Sequence, residues 1–144
     1  MKKKILTIFS LSIIFFSNSY SNESFFNEAE KLFNKEKYDE SKFLFQRDIV
    51  FNPKQAKSYL YLAKIYNIEE DQKKEEKNLE ATLLIEPDNE EAILMTMKIA
   101  LKKSNYSKVK DLSKTFTKVC KKLCEENKGI LETLANIEPK NNES

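Results

Sequence analysis

Histidine and tryptophan are absent from this sequence, glycine occurs once, cysteine twice and proline three times. Each shortage closes off a class of function. Without histidine, the usual general base and the commonest metal ligand are missing. The lone Gly129 cannot build a phosphate-cradling loop, which needs several glycines, and no Gly-x-Ser-x-Gly elbow is present. Two thiols with no imidazole are too few soft ligands for zinc, and the Cys-x-x-Cys-His signature of haem attachment is missing. No metal or other cofactor is expected. Carboxylates are plentiful, but they lie in runs such as Glu69–Asp71 and Glu125–Glu126, the habit of solvated helix ends. A hydrolase built on an acid pair is therefore the weakest reading, and no enzyme is expected. So few glycines and prolines also leave too little punctuation for a β-sandwich or barrel. What remains, 144 residues with 40% hydrophobic and 33% charged side chains, suits one all-α domain.

The N-terminus reads differently from the rest. Met1 and three lysines precede an apolar run from Ile5 to Phe16, and the small polar stretch Ser17–Ser21 follows. That order is the pattern of a secretory signal peptide over residues 1–21, cleaved after Ser19 or Ser21; each site puts serine at −3 and −1. The apolar run falls short of the ~20 residues that span a bilayer, so no membrane span is expected once the leader is removed. An uncleaved anchor is the alternative. No cysteine sits at the junction to accept lipid. Losing the leader's three lysines turns a net charge of +2 into −1. The mature chain thus has no charge excess to draw nucleic acid or anionic lipid. The expected location is periplasmic or otherwise extracytoplasmic.

The rest of the chain repeats. Asn52-Pro53 and Glu86-Pro87 lie 34 residues apart, and superposing the units that begin at Asn22, Ala56 and Glu90 aligns similar residues. Phe25, Tyr59 and Ile93 share the fourth position, and Ala29, Ala63 and Met97 the eighth. Leu32, Tyr66 and Ala100 share the eleventh, Tyr38 and Tyr106 the seventeenth, Phe45 and Leu79 the twenty-fourth. In the second unit Tyr59, Leu62, Ala63 and Tyr66 form one helical stripe, and Leu79, Leu83 and Leu84 are expected to resume it on a second helix. Proline then ends that helix. One such hairpin cannot cover both its stripes, so it must stack on neighbours.

From these residues the segment resembles the tetratricopeptide repeat. The resemblance implies an all-α solenoid over residues 22–137: repeats 22–55, 56–89 and 90–123, then a capping helix at 124–137 with Ile130, Leu131 and Leu134 on one face. A disordered tail would cover 138–144. Two departures stand out. The twentieth position, usually alanine, holds Ser41, Glu75 and Val109, so the second hairpin is expected to be loosely packed or re-registered. The third unit carries Lys121 where the others have proline.

The resemblance also implies a concave groove lined by the first helix of each unit, able to receive an extended or helical peptide. Carried over position by position, it would present Phe26, Asn27 and Glu30, then Lys57, Leu60, Tyr61 and Lys64, then Glu91, Leu94, Met95 and Lys98. The clamp with which some members grip a terminal carboxylate is missing, since its positions hold Phe26, Glu30, Tyr61, Glu91 and Met95. Tyr61 and Phe26 would serve as aromatic anchors and Met95 as an adaptable contact. Alternatively, some of these side chains pack on neighbouring helices. The implied function is a non-enzymatic adaptor for a protein or peptide partner.

The cysteines, Cys120 and Cys124, flank the inter-repeat turn that lacks proline. In a secreted chain a pair suggests a disulfide. Residues i and i+4 within one helix hold their Cβ atoms too far apart for that bond, so the helix must break between them. Alternatives stay open: a thiol-responsive switch governing the docking of the last helix, or free and intermolecular thiols.

Overall fold

The computed structural model describes residues 25–137, which form seven helices and, among them, no strand. The expected leader and the expected tail lie outside the described residues. The helices are α1 (Phe25–Phe33), α2 (Tyr38–Phe51), α3 (Ala56–Ile68), α4 (Gln72–Ile85), α5 (Glu90–Lys102), α6 (Tyr106–Val119) and α7 (Cys124–Ile137). Each packs against the next in the chain, and the turns between them are too short for any but antiparallel neighbours. The period is geometric as well as chemical. Helices α2, α4 and α6 start at Tyr38, Gln72 and Tyr106 and end at Phe51, Ile85 and Val119, each step being 34 residues. Pro53 and Pro87 sit in the turns after α2 and α4, where a missing N–H costs no helical hydrogen bond.

The turn inside each hairpin is closed by the same backbone hydrogen bond. The N–H groups of Lys37, Asp71 and Asn105 donate to the carbonyls of Leu32, Tyr66 and Ala100 at 3.0, 2.9 and 2.8 Å. This six-to-one closure needs a left-handed residue just before the donor. Glu36, Glu70 and Ser104 take that conformation, with φ of 59°, 58° and 55°. Glycine would adopt it freely, whereas an L side chain there is strained. Two of the turns then cap the helix that follows. The side chains of Asp71 and Asn105 accept the N–H groups of Lys74 and Lys108, while Lys37 offers no such cap.

Three apolar clusters join into one spine. Phe26, Ala29, Phe45, Leu62, Ile65 and Tyr66 fill the space among α1, α2 and α3. Leu60, Ala63, Leu79, Ala92 and Ile99 continue it through α3, α4 and α5. A cluster that includes Met97, Val109, Phe116, Ile130 and Leu134 closes it against α6 and α7. The eighth-position residues Ala29, Ala63 and Met97 are all fully buried. Polar groups stitch the same seams. Ser41 donates from α2 to the carbonyl of Ala29, and buried Asp48 accepts from Ser58 of α3 and from Asn52. Lys42 pairs with Glu69, and one period later Glu76 pairs with Lys103. The geometry is the same and the charges are exchanged.

Two expectations fail. Leu84 does not join the buried stripe and is 85% exposed. It lies five residues past buried Leu79, about 140° further around the helix, whereas Leu83 at four lies only about 40° away. The second hairpin is not loose either, for α3 and α4 share the most extensive contact of any helix pair. Glu75 is tolerated there, 4% exposed, because Asn67 of α3 donates to its carboxyl at 3.0 Å. Burial nevertheless pushes its pKa up, since the charged form is poorly solvated.

Two stability effects are expected. Replacing Glu70 by glycine relieves the left-handed strain and raises stability by about 0.5–1 kcal/mol after the entropy of the more flexible unfolded chain is deducted. A lowered urea midpoint would contradict this. For Glu75, a carboxyl whose pKa is raised by folding costs stability above its ordinary pKa and ceases to do so once protonated. Glu75→Gln should therefore raise the urea midpoint at pH 7, with the advantage shrinking as the pH falls toward about 4. A gain independent of pH would point to packing instead.

Candidate partner-binding groove

Helices α1, α3 and α5, the first of each pair, line two adjoining clefts of about 410 and 610 Å³ that share Lys64 and Glu91. The first cleft brings together Glu30, Lys57, Leu60, Tyr61, Lys64 and Glu91. The second adds Met95 and Lys98. Three expected residues line neither cleft. Phe26 is 8% exposed and packs against Phe45 and Tyr61, with ring centroids 5.7 and 5.8 Å away. It lies one turn before Ala29 on the buried stripe of α1, so it is a core residue and not an open anchor. Leu94 is buried in the third cluster, since α5 is packed against α4, α6 and α7 and has few apolar positions to spare for solvent. Asn27 is exposed and lines neither cleft. Leu60 is present as a buried floor.

A chain of polar contacts crosses the groove and sets its electrostatics. The Tyr61 hydroxyl donates to Glu30 Oε1 of α1 at 2.6 Å, and its ring stacks on Phe45 at 4.9 Å. Lys64 Nζ lies 4.7 Å above the Tyr61 ring and pairs with Glu91 of α5 at 2.8 Å. Three first helices are thereby tied through Glu30, Tyr61, Lys64 and Glu91. Burial, and then donation to the Glu30 carboxylate, push the Tyr61 hydroxyl up to about 12. The hydroxyl stays protonated and engaged with Glu30. Lys57 stands at the rim with no ion-pair partner among the described residues.

One wall of the first cleft was not expected from sequence. Glu90, Lys122 and Leu123 close its end. The Glu90 carboxylate accepts the N–H groups of Lys121, Lys122 and Leu123 at 3.0, 3.0 and 2.8 Å. Those donors stand just before α7, where helical N–H groups lack internal partners. In the two earlier junctions the place of Lys121 is held by proline, which has no N–H to satisfy. Lys121 carries an N–H where the other junctions have proline, and Glu90 accepts it. The available signal was weak: an acidic residue opening α5, 31 residues upstream of the missing proline. The N–H of Leu123, then that of Lys122, holds the Glu90 pKa below its usual range.

The same turn carries the cysteine bond. Cys120 ends α6 in extended geometry (φ −63°, ψ 137°) and Cys124 opens α7, so the helix break that the bond requires is present. Their sulfurs are joined, and the Cα atoms are 5.4 Å apart. Among the described residues no His, Cys, Asp or Glu cluster could hold a metal ion, and no helix is long and apolar enough to cross a membrane.

Glu90→Gln should weaken this junction at neutral pH, read as faster amide hydrogen exchange at Lys122 and Leu123. Because folding lowers the Glu90 pKa, its contribution is complete above the ordinary value of 4.5 and disappears as the pH falls through the lowered one. Wild type and variant should therefore converge in acid. Equal exchange at pH 7 would show that the bonds hold nothing.

No family model and no curated protein matches the chain, so its function has to be argued from residues and geometry.

Proposed function

We propose that the chain is an exported adaptor of the tetratricopeptide-repeat kind, without enzymatic activity, that holds a protein or peptide partner along α1, α3 and α5. The observation that carries this reading is the pair of adjoining clefts on the first helices, in which eight residues chosen from the repeat register stand together. The 34-residue period in the starts of α2, α4 and α6 and of α3, α5 and α7, together with the recurring left-handed turn, agrees with it. The groove mixes an apolar floor with lysines and glutamates, the composition of a rim that selects partners by charge as well as shape. Export is supported by the leader-like start of the sequence, and the joined cysteines fit an oxidising compartment.

A thiol-responsive switch is the second reading, because the Cys120–Cys124 bond closes the turn that lends Lys122 and Leu123 to the groove. Glu90 ties that turn through three hydrogen bonds of its own, so losing the sulfur bridge leaves α7 attached. This weighs in favour of a structural staple.

Photo-crosslinking residues placed at Lys57 and at Lys98, in cells of the source organism, should trap one common partner, while the same residue at exposed Lys77 of α4 should not. Adducts from Lys77 alone, or none from either groove position, would defeat the adaptor reading.

A further inference from the structure

A third cleft, about 450 Å³, has a single lining residue, Ile99, in common with the groove clefts. Helix α4 forms one wall, α6 and the turn before it form the other, and Ile99 and Ala100 of α5 lie between them. Its apolar lining adds four leucines, Leu79, Leu83 and Leu84 from α4 and Leu112 from α6. Leu84 stands at the lip as the most exposed of the large apolar residues, at 85%, and Val50, one period earlier on α2, is 76% exposed. Single exposed leucines are common, but one at the lip of a cleft floored by leucine, isoleucine and alanine is placed to make a contact.

The charges say what covers it. The α4 wall carries Glu76 and Glu80, and the facing wall carries Lys103 and Lys108. Glu76 and Lys103 are bonded to each other. Among the described residues Glu80 and the Lys108 ammonium form no salt bridge and both are exposed, although the Lys108 charge is near enough to help lower the Glu76 pKa after the Lys103 and Gln72 hydrogen bonds. Such a cleft, acidic on one wall and basic on the other, is complementary to itself. A two-fold axis laid along it turns the acidic wall of one copy onto the basic wall of the other, and brings each Leu84 toward the partner's leucines. A different partner would need the same pattern reversed, whereas a second copy already has it.

We propose that the chain forms a two-fold dimer through this cleft, with Glu80 of each copy paired to Lys108 of the partner and Leu84 buried between them. None of the three residues named in this contact lines the proposed partner groove.

The test is sedimentation velocity of the purified chain over roughly 1 μM to 1 mM, with circular dichroism to verify that each variant keeps its helices. Wild type should pass from monomer to dimer in that range. Leu84→Asp should weaken association at least about tenfold, and Glu80→Lys or Lys108→Glu alone should each weaken it several-fold. The two charge changes combined should restore it, because they exchange the walls without altering their complementarity. A monomer at every concentration overturns the proposal, and so does a dimer indifferent to Leu84→Asp or a double exchange no better than the single changes.

Discussion

Each hairpin in this protein carries more apolar surface than its two helices can hide from each other, and the rest of the structure follows from where the excess goes. Helix α3 contributes Leu62, Ile65 and Tyr66 to one cluster and Leu60 and Ala63 to the next. Helix α5 does the same with Ala92 and Ile99 on one side and Ile93, Leu94 and Met97 on the other. A helix buried on two sides cannot also present a broad apolar face to a ligand. The two clefts therefore set lysines and glutamates, one half-buried tyrosine and a methionine around a limited apolar floor that includes Leu60 and Ile99. At about 25 cal/mol per Å² of apolar surface, the spine dominates stability, and the polar stitching mainly fixes which helix sits where.

A stack of this kind needs an end. Helix α7 supplies it by laying Ile130 and Leu134 on the last cluster. Its attachment is stronger than a turn alone would provide. The carboxylate of Glu90 spans from the start of α5 to the start of α7, and the cysteine bond spans the same turn from α6. Both act on four residues that, in the other two junctions, are organised by proline. The last junction thus exchanges a conformational constraint for an electrostatic and a covalent one. Lys122 and Leu123 of this same turn also line the first cleft.

The strain in the hairpin turns points the same way. Three non-glycine residues in left-handed geometry, spaced by the repeat, are held because the helices on either side pack well enough to force them. The exchanged ion pairs at equivalent positions, Lys42 with Glu69 and Glu76 with Lys103, show that the backbone geometry is repeated more faithfully than the chemistry placed on it.

From its residues alone, this sequence determined that the chain is helical, that its period is 34, that Pro53 and Pro87 lie between hairpins, and that a helix break separates the cysteines. These are properties of local conformation and of apolar spacing, which a linear chain carries in full. It could not determine that Phe26 and Leu94 are core residues, that Leu84 is exposed, that Glu75 finds Asn67, or that Glu90 holds the turn before α7. Which side of a helix is covered depends on how many neighbours it acquires. A hydrogen bond across 31 to 33 residues exists only once α5 and α7 are docked. Only the tertiary structure decides such things, because burial and long-range polar contacts belong to the assembled stack and not to any one segment of it.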